Sequence, residues 1–280
     1  MKPKIYFFLP VFNEQETVGV MLYRLREVMQ ALRHEYTVLL TLDGCSDETP
    51  DVVTPYFQLM PIQVFDHQKR IGYGKSLWEA ISRVTRESVN PKRDFFLILD
   101  ADFTQDPALL REMSGQIERN IEFCFGNRFT EGQSVKSFRK KLANLLFPRL
   151  LRLRGKRLNN KADLFTTLRG CRVQLLHRKM KQLQKLKLCG PDVPPAVVAM
   201  LLLLLLSKEA RKYYEVRFTE KNVRSRASRF RIFPLLKFVL SGEFHDADIP
   251  SKKSDVAPVR RSRRHRRYYS NKKRTDSSKV

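Results

Sequence analysis

A chain of 280 residues can bury a full hydrophobic core without disulfides or metal staples, and 42% apolar with 30% charged residues excludes a collagenous, low-complexity or wholly disordered protein. Charge is the outlier, because 54 Lys+Arg against 29 Asp+Glu leave +25; residues 251–280, with twelve Lys/Arg and two Asp, carry +10 of it and the first 250 residues +15. A body this basic suits anionic partners, whether nucleic acid, phosphorylated small molecules or an acidic membrane surface.

Along the chain, short apolar runs alternate with helical patterns. Residues 5–9 predict a buried strand, 17–32 a helix, 37–42 a strand, 47–59 a helix and 62–65 a strand. Residues 74–84 are again helical, 95–99 a buried strand and 107–118 a helix. Strands that are apolar on both faces and separated by helices indicate an α/β fold with a mostly parallel, Rossmann-like sheet flanked by helices. From 136 to 157 there are nine Lys/Arg and no acid, with Phe138, Leu142, Leu145, Leu146 and Leu153 at roughly helical spacing. This segment either lies on an anionic bilayer or packs on the core with a solvated basic face. Residues 193–206 predict a buried helix and 213–219 a closing strand, while 229–240 mixes aromatics, leucines and cations around Pro234. Beyond about 251 the chain is rich in Arg, Lys and Ser and lacks apolar periodicity, which predicts disorder. A domain over 1–245 with a basic tail over 246–280 follows.

Cys45, Cys124, Cys171 and Cys189 lie far apart without C-x-x-C spacing, so neither a zinc site nor a disulfide framework is indicated. His34, His67, His177, His245 and His265 have no partner spacing and read as structural or exposed, and Trp78 reads as core. No cleavage-site pattern follows the first apolar run, and the longest unbroken apolar run, 196–206, falls below the roughly 20 residues a spanning helix needs. The expectation is a cytoplasmic protein with no signal peptide and no membrane span.

In parallel sheets ligands collect at the carboxyl ends of the strands, here residues 10–14, 43–47 and 100–106. Asp100 and Asp102, one residue apart after a buried strand, either cap the following helix or converge on a hard cation, since Mg²⁺ and Mn²⁺ prefer oxygen ligands and leave positions for phosphates. The segment 70–75 places Gly72 and Gly74 ahead of a helix, where backbone approaches a ligand closely.

Taken in order, LPVFNE (9–14), LDGCSDET (42–49), RIGYGKSLWEAI (70–81), LDADFTQDP (99–107), FGNRF (125–129) and KADLFTTLRGCR (161–172) make the chain resemble the family-2 glycosyltransferases of the GT-A fold, dolichyl-phosphate mannose synthase-like branch. The resemblance covers about residues 5–172 and extends weakly to about 240. It implies that Pro10, Phe12 and Glu14 cradle the base and ribose of a nucleotide-sugar, with Asp43 the second member of the family's acidic pair and Gly72 beside it. Leu42 stands at the first acidic position and Cys45 where serine is usual. Asp100 and Asp102 match the metal and diphosphate motif, and Thr104 and Gln105 fall where a further polar ligand sits. Arg128 matches an arginine near the phosphates, Asp163 and Arg169 a segment that closes the site, and Ser228-Arg229 loosely a pair that reaches the diphosphate.

The implied function is a metal-dependent, inverting transfer from a nucleotide-sugar, GDP-mannose or a UDP-sugar, to a polyprenyl phosphate at a membrane surface. Asp102, Arg128 and Asp163 carry the catalysis, Mg²⁺ or Mn²⁺ stabilises the departing diphosphate, and Arg128 with Arg139 contacts the acceptor phosphate. A lipid phosphate is already ionised at neutral pH and needs no strong base; a hydroxyl acceptor does, and Asp163 is its best candidate. The basic helix and tail are expected to hold an anionic membrane rather than nucleic acid. Two alternatives stand beside this reading: transfer to a hydroxyl of a glycan or other small acceptor, and a catalytically lapsed nucleotide- or RNA-binding protein. The absence of a Q-x-x-R-W motif argues against a processive polysaccharide synthase.

Overall fold

The computed structural model describes residues 2–128, 163–188, 190–207 and 209–219. Among the described residues, seven strands form one sheet in the order β3-β2-β1-β4-β6-β5-β7. The strands are β1 (Ile5–Val11), β2 (Tyr36–Asp43), β3 (Ile62–His67), β4 (Phe95–Ile98), β5 (Phe123–Asn127), β6 (Arg169–Arg172) and β7 (Tyr213–Arg217). Four pairings are parallel, β1 with β2 and with β4, β2 with β3, and β5 with β7. Only β6 runs against its neighbours β4 and β5, so the carboxyl ends of the other six strands share one edge. The strand order reverses between β1 and β4, which makes a crevice at the ends of those two strands.

Alternation along each strand divides the core into two layers. Phe7, Leu9, Val38, Leu40, Leu42 and Leu97 face α1 (Val18–Leu32), α2 (Thr49–Val53) and α4 (Leu110–Glu118). Tyr6, Phe8, Leu39, Phe96 and Ile98 face α3 (Tyr73–Glu87), α5 (Val173–Leu183) and α6 (Pro195–Leu206). In α1 the buried Val18, Met21, Leu22, Leu25, Val28 and Met29 recur at three- and four-residue spacing, one apolar stripe of an otherwise polar helix. Helix α6 is apolar all round, with eight of its residues buried.

Three expectations change. The helix expected over 47–59 is α for only five residues and continues as a 3-10 helix, Thr54–Gln58, because Pro55 has no N–H for an α-helical bond. The first turn of the helix expected at 107 is likewise 3-10, Pro107–Leu109, capped by the Asp106 carboxylate, which accepts from the Ala108 N–H at 2.9 Å. The strand expected over 62–65 is not buried on both faces, because β3 is an edge strand. Trp78 is half-buried and packs against the core. No helix among the described residues is long and apolar enough to cross a membrane. The basic segment 136–157, the segment 229–240, His245, His265 and the tail lie outside the described residues.

Candidate active site

The ends of β1 and β2 are tied together before any ligand is considered. Asn13 takes a left-handed conformation, φ 54°, a region Asn tolerates, and its side chain donates to Ser46 Oγ at 3.1 Å while accepting from the Ser46 N–H at 2.8 Å. Thr49 Oγ1 accepts from the Glu14 N–H at 2.8 Å, and Gln15 Oε1 from the Glu48 N–H at 2.9 Å. Glu14 itself receives Thr17 Oγ1 on its carboxylate at 2.9 Å.

Asp43 ends β2 almost buried, and its carboxylate clamps the loop ahead of α3. Oδ1 accepts from the Ile71 N–H at 2.7 Å, and both oxygens lie 3.1–3.2 Å from the Gly72 nitrogen. Arg70 lies 4.0 Å from the same carboxylate and stacks on the face of Phe12, 4.4 Å from its centroid. The loop is seated so tightly that a Cβ on Gly44 (φ +68°) would stand 2.5 Å from the Arg70 nitrogen. A Cβ on Gly72 (φ +95°) would stand 2.6 Å from Pro191 Cα. Asp43, Gly72 and, through Arg70, Phe12 are thus brought together at the ends of β1 and β2, with Pro10 near the end of β1 and Glu14 in the loop after it. Leu42 points the other way, into the layer under α1 and α2. Cys45 is half-buried with its thiol toward the Val11 carbonyl at 3.7 Å, and burial raises its pKa.

Across the crevice, the residues after β4 form a second polar cluster. The Asp100 carboxylate accepts from Gln105 Nε2 at 2.8 Å and from the Thr167 hydroxyl, and Gln105 Nε2 also reaches Thr167 Oγ1 at 2.7 Å. Asp102 Oδ1 accepts from the Thr104 N–H at 3.0 Å and hydroxyl at 2.7 Å, a local turn that holds the carboxylate half-exposed. Between them Phe103 is left-handed at φ 58°. Gln105 is 2% exposed and Asp100 half-exposed, so the buried amide orients a carboxylate that reaches the surface.

Behind this cluster lies a buried ionic group. Asp163 is fully enclosed and pairs in bidentate fashion with Arg128, Oδ2 to Nε at 2.6 Å and Oδ1 to the second guanidinium arm at 3.0 Å. Burial alone would raise the Asp163 carboxyl, but the Arg128 guanidinium, its hydrogen bonds and nearby Arg169 outweigh it and hold the group below the ordinary carboxylate range. Arg169, expected at the nucleotide-sugar, is instead 1% exposed: it donates to the carbonyls of Asp163 and Leu168, and burial lowers its pKa to about 10. It braces the site from behind and does not reach into the crevice. Arg139 and Arg229 lie outside the described residues.

The sequence pattern of glycosyl transferase family 2 matches residues 6–179, which include both strand-end clusters and the Arg128–Asp163 pair. The chain belongs to this family. Similarity to individual members is low: a dolichol-phosphate mannosyltransferase of Pyrococcus furiosus is 23% identical over 135 residues, 48% of this chain and 36% of that protein. The chain spans less than half the length of the curated relatives it matches. Among solved structures, mannosyl-3-phosphoglycerate synthase from Rubrobacter xylanophilus superposes with a TM-score of 0.54 at 15% identity, covering 91% of this chain and 79% of that one. Glucosyl-3-phosphoglycerate synthase from Mycobacterium tuberculosis, solved with Mn²⁺, UDP and glucosyl-3-phosphoglycerate, gives 0.51 at 15% identity, with 85% and 76% covered. Those likenesses establish the GT-A-like architecture.

Two contributors to this family-2 site escape a reading by motif. Arg70 opens the segment 70–81 but its stacking on Phe12 is a tertiary contact, and Thr167 lies 67 residues from the Asp100 it orients. The signal for both was their place inside segments that match the family; nothing in their spacing shows the role.

Proposed function

We propose that the chain transfers a sugar from a nucleotide-sugar to a polyprenyl phosphate, with Mg²⁺ or Mn²⁺ held at Asp100 and Asp102. The observation that carries the reading is the pair of half-exposed carboxylates at the strand-order reversal, each fixed by its own hydroxyl donor. Their donor set fits a hard divalent cation: both ligands are carboxylate oxygens, and two protein ligands leave positions for diphosphate and water. When bound, such a cation neutralises the charge that develops on the departing diphosphate. The Mycobacterium enzyme of similar fold, solved with Mn²⁺ and UDP, supports that assignment.

The chain's own residues do the positioning. Phe12 offers an aromatic face at the nucleotide end and the Asp43 clamp sets the height of the loop that carries Gly72. Gln105 and Thr167 aim Asp100, and Arg128 is held in its buried pair with Asp163. The acceptor follows from what Asp163 lacks. Locked in a bidentate pair and held below the ordinary carboxylate range, it is a poor proton acceptor, so the pair suits a nucleophile that arrives ionised. A lipid phosphate meets that requirement, and the name of the Pyrococcus relative points to the same acceptor class.

The test begins with a thermal-shift panel of GDP- and UDP-sugars with Mn²⁺, since a ligand of the native state raises the melting temperature. Transfer of labelled sugar to polyprenyl phosphate follows, with Asp102→Ala as control. A Mn²⁺-dependent shift with one nucleotide series and transfer lost in Asp102→Ala are expected. Transfer to glycan hydroxyls only, or an Asp102→Ala protein as active as the parent, overturns the reading.

A further inference from the structure

The loop after β4 turns at a residue unsuited to turning. At the other strand ends Asn13, Gly44 and Gly72 have positive φ, and Gly adopts that region freely and Asn readily. Phe103 has φ 58°, where the Cβ of a bulky side chain crowds the carbonyl that follows. A residue held there at an energetic cost persists only where its surroundings over-determine it.

Two sets of contacts do so at Phe103. Leu99 and Ala101 are buried in the apolar layer under α1 and α4, and Phe103 packs against the same layer, while Asp100 and Asp102 between them stay half-exposed. The two-residue alternation of a strand thus continues past the end of β4, with carboxylates on one side and three apolar feet on the other. Beyond Phe103 the chain folds back on what precedes it. Thr104 donates its N–H and hydroxyl to Asp102 Oδ1 at 3.0 and 2.7 Å. Gln105 donates Nε2 to Asp100 Oδ2 at 2.8 Å, and its Oε1 lies 3.4 Å from the Asp100 nitrogen. Phe103 therefore stands in the chain between each carboxylate and the neighbour that aims it, and its ring is the last foot before the turn.

We propose that Phe103 is a positioning residue for the divalent cation: its ring, seated in the core layer, maintains the left-handed turn that brings Thr104 back to Asp102 and Gln105 back to Asp100. This rests on the cation reading above and adds that the aim of the two carboxylates is set by an apolar side chain with no ligand atom of its own. Removal of the ring frees the turn to relax to negative φ and loosens both carboxylates, although each is still present.

The experiment compares Phe103→Leu, Phe103→Ala and Phe103→Gly with the parent, each by urea unfolding and by Mn²⁺ titration followed by paramagnetic resonance. Ala loses the ring and keeps the cost of positive φ; Gly loses the ring and the cost together; Leu keeps an apolar foot. The unfolding constant of Phe103→Gly is expected to be about fivefold smaller than that of Phe103→Ala. Both are expected to bind Mn²⁺ about tenfold or more weakly than the parent, the loss typical of removing support behind a metal ligand, and Phe103→Leu to restore binding to within about threefold. A purely structural role would instead make Mn²⁺ affinity follow stability, so that Gly recovered both. Phe103→Gly or Phe103→Ala binding Mn²⁺ within about twofold of a parent that binds it overturns the proposal alone, as does Phe103→Gly no more stable than Phe103→Ala. A parent that binds no Mn²⁺ removes the cation reading and this proposal with it.

Discussion

Replacement of Asp43 separates two roles that coincide in one side chain. Its carboxylate accepts the Ile71 N–H at 2.7 Å and the Gly72 N–H at 3.1–3.2 Å, and the Gly72 bond is buried. Asp43→Ala strips the acceptor from both. A buried donor left unpaired costs about 1–3 kcal/mol, and Ile71, half-exposed, recovers part of its loss through water, so the expected destabilisation is about 2–4 kcal/mol. Asp43→Asn keeps an oxygen in place and exchanges charge-assisted bonds for neutral ones, a loss of about 1–2 kcal/mol. Urea unfolding at neutral pH measures both, alongside KM for the donor. With the clamp as the main role, KM rises in proportion to the loss of stability, because the loop bearing Gly72 moves with it. A protein in which Asp43→Ala costs under about 0.5 kcal/mol while donor KM rises steeply would refute this reasoning and return Asp43 to direct contact with the base.

Gly72→Ala combines a left-handed residue at φ +95° with a Cβ 2.6 Å from Pro191 Cα, and is expected to cost about 2–4 kcal/mol by chemical denaturation. Gly115→Ala, inside α4 with nothing within 4 Å of the new Cβ, is the matched control and should stabilise by about 0.5–1 kcal/mol. Thr167→Val removes the hydroxyl that Asp100 accepts at nearly constant volume; Mn²⁺ binding followed by paramagnetic resonance should weaken by about tenfold or more, with the fold intact. Asp163→Asn leaves Arg128 without its anion and should cost about 3–5 kcal/mol at pH 7. Since the native Asp163 pKa lies below its ordinary 3.8, its contribution is complete above that value and is lost as pH falls through the native one. The acid slope of parent stability should therefore flatten in Asp163→Asn, and an unchanged slope would count against an ionised native carboxylate.

The parts of the molecule that sequence alone makes legible are those whose pattern is local. Strands β1, β2 and β4 are apolar on both faces because helices cover both, and that composition is visible in seven, eight and four residues respectively. Strand β6 gives no such signal. Its four residues, RGCR, lack the apolar run of a buried strand, yet Arg172 is buried by donating to the Ile121, Arg93 and Ile117 carbonyls and Arg169 to those of Asp163 and Leu168. The helix α5 that follows is hidden the same way, its cations obscuring an apolar stripe. At the site, strand-end motifs mark which residues converge but not what each touches. Asp43 and Gly72 are 29 residues apart, and Arg128 and Asp163 are 35 apart, so their partnerships belong to the folded state and carry no periodic trace.

This partition bears on the acceptor. At the strand ends each carboxylate already accepts a hydrogen bond: Asp43 from Ile71 and Gly72, Asp100 from Gln105 and Thr167, Asp102 from Thr104, Glu14 from Thr17. Those bonds fix where each oxygen points, and Asp163, held below the ordinary carboxylate range by the Arg128 guanidinium, is a poor base. A site so built suits the orientation of a ligand better than proton abstraction. The pH profile exposes the difference. Transfer to a phosphate follows the ionisation of the acceptor, whose second pKa is about 6, and reaches a plateau above it; transfer to a hydroxyl would carry the signature of an enzyme base, removed by the substitution of one carboxylate. A plateau that shifts with the acceptor's own pKa, and that survives Asp163→Asn in shape, assigns the proton inventory to the substrate and leaves the protein's carboxylates to hold and aim.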